Sequence, residues 1–337
     1  MIEKIQSIID TLKSTTFFES KLNFFEVHAV KADEERVFLD GKVLEKENLE
    51  LLKEKIAAEF PALEILSENV TVLRTPETPV LNVCKNITSM HAEKSFQSEL
   101  TTQLFFSDEV EVLIDEGDWV IGRNVLDGYI SYTYRKYLDK LALPEFTHIV
   151  SEPVVPVYDA PENGRLITRV LGGTKTGIMD TSGEMVRIRA NIDGWIPKDF
   201  LRAFDELPEE KHALRALVCE NAKKLIGVPY LWGGNTANGI DCSGLVQYAY
   251  RLAGITTLRD AHMQYIAEQI VEPEFLPGDV VLYGEQRKDR MSVTHASISL
   301  GGWTVIHSSR TRNGVYIDNV QETEHLKASF SAAIRYL

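Results

Sequence analysis

One cysteine of this sequence lies among polar residues at the start of a predicted helix. Cys242 follows Asp241 and precedes Ser243, and the apolar residues between Leu245 and Ala253 fall on one helical face. The unpaired N–H groups and the positive dipole end of a helix N-terminus stabilise a thiolate, the nucleophilic form of cysteine. The same N–H groups could hold the oxyanion of a tetrahedral intermediate. We therefore expect Cys242 to be a catalytic nucleophile.

Two histidines on neighbouring predicted strands are candidates for the base that such a nucleophile needs. Polar and apolar residues alternate from His295 onwards, as in a half-buried strand, and the run that ends at His307 follows after Gly301-Gly302. His307 shares a face with His295 only if the connection at the two glycines has an odd length or a bulge. With that bulge the imidazoles lie within direct or diagonal cross-strand reach. One would act as general base towards Cys242 while the other orients it.

A zinc site is the alternative use of the same three residues. Catalytic zinc accepts three nitrogen or sulfur ligands, and Cys242, His295 and His307 could supply them. No Cys-x-x-Cys or His-Glu-x-x-His spacing supports this alternative. We expect neither a metal nor a cofactor.

Length and charge set the wider class of protein. The chain has 337 residues, of which 44% are hydrophobic, so we expect more than one domain. A net charge of -14 without any basic block argues against nucleic acid or an anionic membrane as partner. No stretch approaches the roughly 20 apolar residues that span a bilayer. The first residues lack the apolar core of a signal peptide, which favours a cytoplasmic location.

Proline clusters and changes of periodicity divide the chain into four predicted domains: residues 1–73, 74–147, 148–207 and 208–337. In the first, the pattern is helix, strand, strand, helix, strand, with a turn predicted at Asp40-Gly41. This order is typical of a small α+β module and resembles a BON-type domain, whose partner the sequence does not reveal.

The next two domains contain an internal repeat. Residues 117–138 and 183–201 each run glycine, strand, Asp-Gly turn, aromatic residue, strand. Both resemble bacterial SH3-like domains, so we expect two small β-barrels. Residues 208–337 return to a mixed α/β pattern that contains Cys242 and both histidines.

Several motifs of the last domain together resemble the NlpC/p60 cysteine peptidases. The motifs are YLWGG from Tyr230, DCSGLV from Asp241, PGD from Pro277, HASISL from His295 and IHS from Ile306. The resemblance implies a papain-like α+β fold and cleavage of peptidoglycan peptides. It also implies the roles of the site residues: Cys242 as nucleophile, His295 as general base, His307 as the orienting residue, Tyr230 beside the oxyanion, and Asp241 and Ser243 in the substrate pocket.

The pair of SH3-like modules is similar to a narrower subgroup, the YkfC-type γ-D-glutamyl-L-diamino-acid dipeptidyl-peptidases of murein-peptide recycling. In that subgroup the first SH3-like domain closes one end of the cleft, and an acidic residue and a tyrosine bind the free amine of an N-terminal L-Ala. The best candidates here are Glu99 and Tyr129. A carboxylate and a phenol can pair with an ammonium group in a closed pocket.

One segment departs from the subgroup pattern. Where the subgroup usually shows Pro-Arg-Asp-Ser/Ala-x-x-Gln, this chain has Leu258-Arg259-Asp260-Ala261, with Gln264 in the last position. Arg259 and Asp260 occupy the Arg-Asp positions of this pattern and therefore remain candidate substrate residues. His262 is expected on the surface.

The main hypothesis is a cytoplasmic cysteine peptidase. It would hydrolyse the bond between γ-D-Glu and L-Lys or meso-diaminopimelate in murein tri- or tetrapeptides with a free N-terminal L-Ala. Two alternatives stay open: an exported endopeptidase that acts on intact peptidoglycan, and a non-catalytic binding or scaffold protein.

Overall fold

Strands dominate the protein and are distributed over separate sheets. The structure is a computed structural model that describes residues 1–267, 269–287 and 290–337. No helix in the described part of the chain is both long and apolar enough to cross a membrane.

Residues 1–73, the N-terminal segment, form a three-stranded sheet with two helices in the predicted order. The elements are α1 (Ile2–Thr15), β1 (Phe25–Ala32), β2 (Arg36–Val43), α2 (Lys46–Glu59) and β3 (Glu64–Val72). The central strand β2 pairs antiparallel with β1 and parallel with β3. Ile5 and Ile9 of α1 share one buried cluster with Leu52 and Ile56 of α2, so the apolar faces of the two helices cover the sheet.

The turn predicted at Asp40-Gly41 is wrong, because both residues lie inside β2. The chain reverses instead between β1 and β2, at residues 33–35. Gly41 has a φ of 133°, and a Cβ there would overlap the carbonyl of Glu26 on β1. Glycine is needed here because two strands approach each other closely. An Asp-Gly pair alone does not distinguish such an approach from a turn.

Residues 74–147, the first β segment, form a seven-stranded sheet in the order β10-β4-β7-β8-β9-β5-β6. Its strands are β4 (Val80–Val83), β5 (Ile87–His91), β6 (Leu100–Phe105), β7 (Glu109–Asp115), β8 (Trp119–Asn124), β9 (Ile130–Tyr134) and β10 (Leu138–Asp139).

Residues 148–207, the second β segment, contribute a five-stranded and a three-stranded sheet. Their strands are β11 (His148–Val150), β12 (Val154–Tyr158), β13 (Leu166–Leu171), β14 (Lys175–Thr176), β15 (Ile178–Ser182), β16 (Met185–Ile188), β17 (Gly194–Pro197) and β18 (Leu201–Ala203). The internal repeat folds alike in both β segments. In each, two antiparallel strands are joined at the Asp-Gly pair, whose glycine begins the second strand in residues 183–201, and a single 3₁₀ turn follows, at Arg135–Tyr137 and at Lys198–Phe200.

Residues 208–337, the C-terminal segment, pack helices against a six-stranded sheet in the order β21-β26-β22-β23-β24-β25. The elements are α3 (Lys211–Lys223), β19 (Asn235–Thr236), β20 (Gly239–Ile240), α4 (Cys242–Arg251), α5 (Ala261–Ala267), β21 (Gln269–Ile270), β22 (Val280–Arg287), β23 (Arg290–Gly301), β24 (Thr304–Ser309), β25 (Gly314–Asn319), α6 (Glu324–Ser329) and β26 (Phe330–Arg335). Leu245 and Ala249 of α4 share a buried core with Ala296 and Ile298 of β23. This packing places the first turn of α4 beside the strand that carries His295.

Candidate active site

Cys242 is the first residue of α4, and Asp241 is its N-cap. The Asp241 carboxylate accepts hydrogen bonds from the backbone N–H of Gly244, at 2.7 Å, and of Gly233, at 2.8 Å. An N-cap aspartate accepts hydrogen bonds from N–H groups that the helix leaves unpaired, and its negative charge interacts favourably with the helix dipole. A Cβ at Gly244 would overlap the Gly234 carbonyl, so glycine allows the YLWGG loop to cross close to the helix start. The YLWGG and DCSGLV motifs are thus in contact at the nucleophile.

Arg259 lies beneath this helix start and is only 1% exposed. Its guanidinium donates to both carboxylate oxygens of Asp241, at 2.6 and 3.0 Å, to Ser243 Oγ at 2.9 Å and to Thr102 Oγ1 at 3.0 Å. The expectation that Arg259 contacts substrate is therefore corrected, because its donors face the protein. Arg259 instead holds Asp241 and Ser243 in place and ties α4 to β6.

The two histidines lie on one face of the sheet, as the bulge argument predicts. The register between β23 and β24 shifts between Ser299 and Gly301, and Ile298 stands opposite Ile306. His307 is thereby diagonal to His295, with 2.8 Å between His295 Nε2 and His307 Nδ1. The predicted cross-strand pair of imidazoles is confirmed.

Asp318 on β25 extends this pair and is absent from the sequence prediction. Its Oδ2 lies 2.9 Å from His307 Nε2, while Arg312 Nη2 lies 2.8 Å from its other oxygen. An ionised carboxylate only accepts hydrogen bonds, so His307 Nε2–H donates to Asp318 and His307 Nδ1 accepts from His295 Nε2–H. The Nδ1 of neutral His295 is then left with a free lone pair. Asp318 therefore sets the tautomers of both rings.

Burial favours neutral forms of the catalytic pair. It raises the pKa of the Cys242 thiol to about 11, helped by the Asp241 charge and opposed by the backbone N–H groups of Ala296 and Ser243. Burial also lowers the pKa of His295 to about 3, together with the neighbouring His307 and His325. Desolvation thus opposes the thiolate that the helix N-terminus favours. An unprotonated His295 is ready to take the thiol proton.

The zinc alternative does not fit these contacts. Both ring nitrogens of His307 are engaged, one by His295 and the other by Asp318. Among the described residues, no group of three or more His, Cys, Asp or Glu side chains could hold a metal ion.

A cavity of about 610 Å³ opens over Cys242 and His295. Its wall is built from the N-terminal segment, the first β segment and the C-terminal segment. Six of the predicted substrate residues line it: Glu99, Tyr129, Tyr230, Asp241, Ser243 and Asp260.

Tyr230 is the phenol beside the thiol. Burial raises its pKa to about 12, and the charges of Cys242 and Asp241 act in the same direction. Arg310 lies over its ring, 5.5 Å from the centroid. Tyr230 therefore keeps its proton near neutral pH and can donate a hydrogen bond at the reacting centre.

Glu99 and Asp260 supply carboxylates to one part of the cavity wall, called the acidic end below. Glu99, exposed at the rim, accepts a hydrogen bond from Trp232 Nε1 at 2.5 Å, and Tyr129 O–H donates to Asp260 Oδ2 at 3.1 Å. Burial raises the pKa of Asp260, while the charge of Arg259 lowers it. The first β segment and the C-terminal segment thus form this end together.

The N-terminal segment also reaches the cavity, which the sequence did not indicate. His262, expected on the surface, is 43% exposed, and its Nε2 lies 2.5 Å from Glu19 Oε2. Both His262 and Lys21 line the cavity. Nothing in residues 17–23 distinguishes them from an ordinary loop, because the contact joins residues 243 positions apart.

A thiol at a helix N-terminus, with a histidine base in a relay that ends at a carboxylate, defines a cysteine peptidase site. Residues 227–334 match the NlpC/P60 family. The chain is thus a cysteine peptidase with an NlpC/P60 domain, and the family resemblance of its motifs is confirmed.

Two bacterial relatives resemble the chain over most of their length. The dipeptidyl-peptidase 6 of Lysinibacillus sphaericus is 24% identical over 254 residues, which are 71% of this chain and 90% of the relative. The gamma-D-glutamyl-L-lysine dipeptidyl-peptidase of Bacillus cereus (strain ATCC 10987 / NRS 248) is 28% identical over 261 residues, 71% of this chain and 76% of the relative.

A solved structure extends the similarity in fold beyond the catalytic domain. The crystal structure of an NlpC/P60 family protein from Bacillus cereus ATCC 10987 is 21% identical, with a TM-score of 0.67. The similarity covers 77% of this chain and 100% of the solved chain. The shared fold therefore includes residues outside 227–334.

Proposed function

We propose that the protein hydrolyses the bond between γ-D-Glu and L-Lys or meso-diaminopimelate in murein tri- or tetrapeptides that carry a free N-terminal L-Ala. One observation carries the proposal: a single cavity is lined both by Cys242 and His295 and by Glu99, Tyr129 and Asp260. The names of the relatives, which include a gamma-D-glutamyl-L-lysine dipeptidyl-peptidase, support the same substrate class.

The acidic end of the cavity suits the ammonium group of a free peptide N-terminus. Glu99 offers a carboxylate at the rim, and the Tyr129–Asp260 pair offers a phenol oxygen and a second carboxylate. A charge-assisted hydrogen bond to an ammonium group is roughly twice as strong as a neutral one. A peptide anchored there extends a fixed length towards Cys242, which would make the enzyme a dipeptide-releasing peptidase.

In the proposed reaction His295 Nδ1 takes the proton of the Cys242 thiol while Sγ bonds to the γ-carbonyl carbon of D-Glu. Backbone N–H groups at the start of α4 and the Tyr230 hydroxyl would stabilise the oxyanion. Protonated His295 then gives its proton to the departing amine of the diamino acid, leaving a thioester. Water, deprotonated by His295, hydrolyses the thioester and regenerates the thiol.

The front of the chain has a supporting role in this proposal. We assign residues 74–147 and 148–207 as SH3-like domains and residues 1–73 as a BON-like module. The first SH3-like domain closes the cleft and restricts it to short peptides. Such a substrate would arise in cell-wall peptide recycling in the cytoplasm, and cell fractionation with an antibody to the protein tests that location.

The test uses purified full-length protein and three substrates: L-Ala-γ-D-Glu-L-Lys, the same peptide with an N-acetyl group, and intact peptidoglycan. We expect mass spectrometry to show L-Ala-D-Glu and free lysine from the first peptide at the highest rate. Cys242→Ala should abolish turnover without changing the circular dichroism spectrum, whereas Cys84→Ser, in the first β segment, should retain activity. An intact tripeptide after prolonged incubation overturns the function, and preferred release from intact peptidoglycan would indicate an endopeptidase.

A further inference from the structure

Lys21 of the N-terminal segment projects into the acidic end of the active-site cavity. Its Nζ lies 5.8 Å from the centroid of the Tyr129 ring and donates a long hydrogen bond of 3.4 Å to Ser131 Oγ. Among the described residues, Ser131 Oγ is the one hydrogen-bond acceptor of the ammonium group, and Asp260, Glu99 and Glu19 act on it through their charges alone. Lys21 therefore brings a positive charge, with unused donors, into the cavity.

The loop that carries Lys21 is tied to the wall of the cavity on two sides. The Lys21 carbonyl accepts from the N–H of Ile130 at 2.7 Å, next to Tyr129. The Lys21 N–H donates to Glu19 Oε1 at 3.1 Å, and the other oxygen of Glu19 contacts His262. The loop is thus anchored to both sides of the Tyr129–Asp260 pair, so the position of the lysine follows from backbone contacts.

The acidic groups around Lys21 are those that the proposed function assigns to the substrate. Burial lowers the pKa of Lys21, whereas the charges of Asp260, Glu99 and Glu19 raise it. Asp260 and Glu99 attract its ammonium group through space and would attract a peptide ammonium group for the same reason. An incoming free amine must therefore displace the flexible lysine or share these carboxylates with it.

We propose that Lys21 is a specificity-determining residue that lowers the preference of the enzyme for peptides with a free N-terminus. With a free-amine peptide, Lys21 competes for Asp260 and Glu99 and weakens binding. With an N-blocked peptide, Lys21 stays in place and its charge still offsets those of the two carboxylates through space, so the missing substrate charge costs less. The proposal rests on the proposed peptidase function and deepens it.

The experiment compares kcat/KM for L-Ala-γ-D-Glu-L-Lys and its N-acetylated form in full-length protein. Lys21→Met keeps the length of the side chain without its charge. We expect this variant to raise the ratio of kcat/KM for the free peptide to kcat/KM for the acetylated peptide roughly tenfold. Removing a nearby unit charge from a part-buried site changes the two kcat/KM values in opposite directions. Lys21→Arg retains the charge and should keep the wild-type ratio. Lys13→Met, on the exposed face of α1, is the matched control.

The outcomes separate the two proposals. A ratio that stays within twofold in Lys21→Met, in protein with an unchanged melting temperature, overturns the role of Lys21 and leaves the peptidase function standing. The same shift in Lys21→Arg as in Lys21→Met also overturns it, because the effect would then follow shape and not charge. If the wild-type protein cleaves neither peptide, the proposed function fails and the role of Lys21 fails with it.

Discussion

Replacing Asp318 by asparagine tests the relay that orients the catalytic base. The new side chain would have nearly the same shape but no charge, and its amide can either accept from His307 Nε2–H or donate to that nitrogen. In the second arrangement His307 Nδ1 carries the proton and donates to His295 Nε2. The Nδ1 of His295 is then protonated and cannot take the proton of Cys242.

The size of the effect follows from these two arrangements. If the amide oxygen accepts, a hydrogen bond to a charged group worth about 1.5–3 kcal/mol is replaced by a neutral one worth about 0.5–1.5 kcal/mol. The loss of roughly 1–1.5 kcal/mol corresponds to about a 5- to 15-fold lower kcat. Molecules with reversed tautomers lose the base altogether, so we expect a total decrease on the order of 10- to 1,000-fold.

The assay is steady-state kinetics on the free tripeptide. KM should stay nearly constant, because neither His307 nor Asp318 is among the described residues that line the cavity. Arg312→Gln is the matched control: it removes the other partner of Asp318, is 52% exposed and should lower kcat less than about fivefold. A kcat for Asp318→Asn within twofold of the wild type, in folded protein, would refute the tautomer argument.

Three further predictions concern the thiol, the buried arginine and the acidic rim. The rate at which iodoacetamide alkylates Cys242 should still rise above pH 9, because a pKa of about 11 leaves roughly one thiolate in ten thousand at pH 7. Mass spectrometry of the peptide that contains Cys242 measures this rate. A plateau reached by pH 6 would show a resting thiolate. Arg259→Met leaves the Asp241 carboxylate buried without its ion pair, so urea titration should show a free energy of unfolding lower by about 3–5 kcal/mol, and a loss below about 1 kcal/mol would contradict this. Glu99→Gln should lower kcat/KM about tenfold for the free tripeptide, mainly through KM, and leave the N-acetylated peptide unaffected; equal losses on both peptides would show that Glu99 does not bind the amine.

The catalytic core was predictable because local patterns specify it. Asp241 and Cys242 precede an amphipathic helix, the alternation from His295 predicts a strand, and the paired glycines provide the bulge that brings His307 to the same face. Each of these signals lies within about ten residues of the group that it positions. The element order of residues 1–73 was predictable for the same reason, while Asp40-Gly41 misled because a turn and a close strand approach both select glycine.

The position of Asp318 beside His307 was also predictable from local sequence patterns. Asn313-Gly314 is a turn signal, and the register of the following strand places Tyr316 opposite His307. Asp318 then falls on the same face, diagonal to His307. Treating residues 314–319 as a third strand of the hairpin would have identified the carboxylate.

Other features depend on contacts and burial that a sequence does not contain. The family pattern around Arg259 predicts a substrate residue, yet its side chain points inward to Asp241. The raised pKa of Cys242 follows from desolvation, which depends on the whole fold. The approach of Glu19 to His262 joins segments 243 residues apart, which no local pattern reports.

The cavity is assembled from stretches of chain that the ribosome makes in a fixed order. The loop around Lys21 and the wall that carries Glu99 and Tyr129 are synthesised well before Cys242, and domains generally fold in that order during synthesis. Each new molecule would thus have Lys21, Glu99 and Tyr129 in place before Cys242 is made, and the base His295 follows later still. Because Cys242 acts only with its base, a growing chain would cut no peptide before part of its recognition wall has folded.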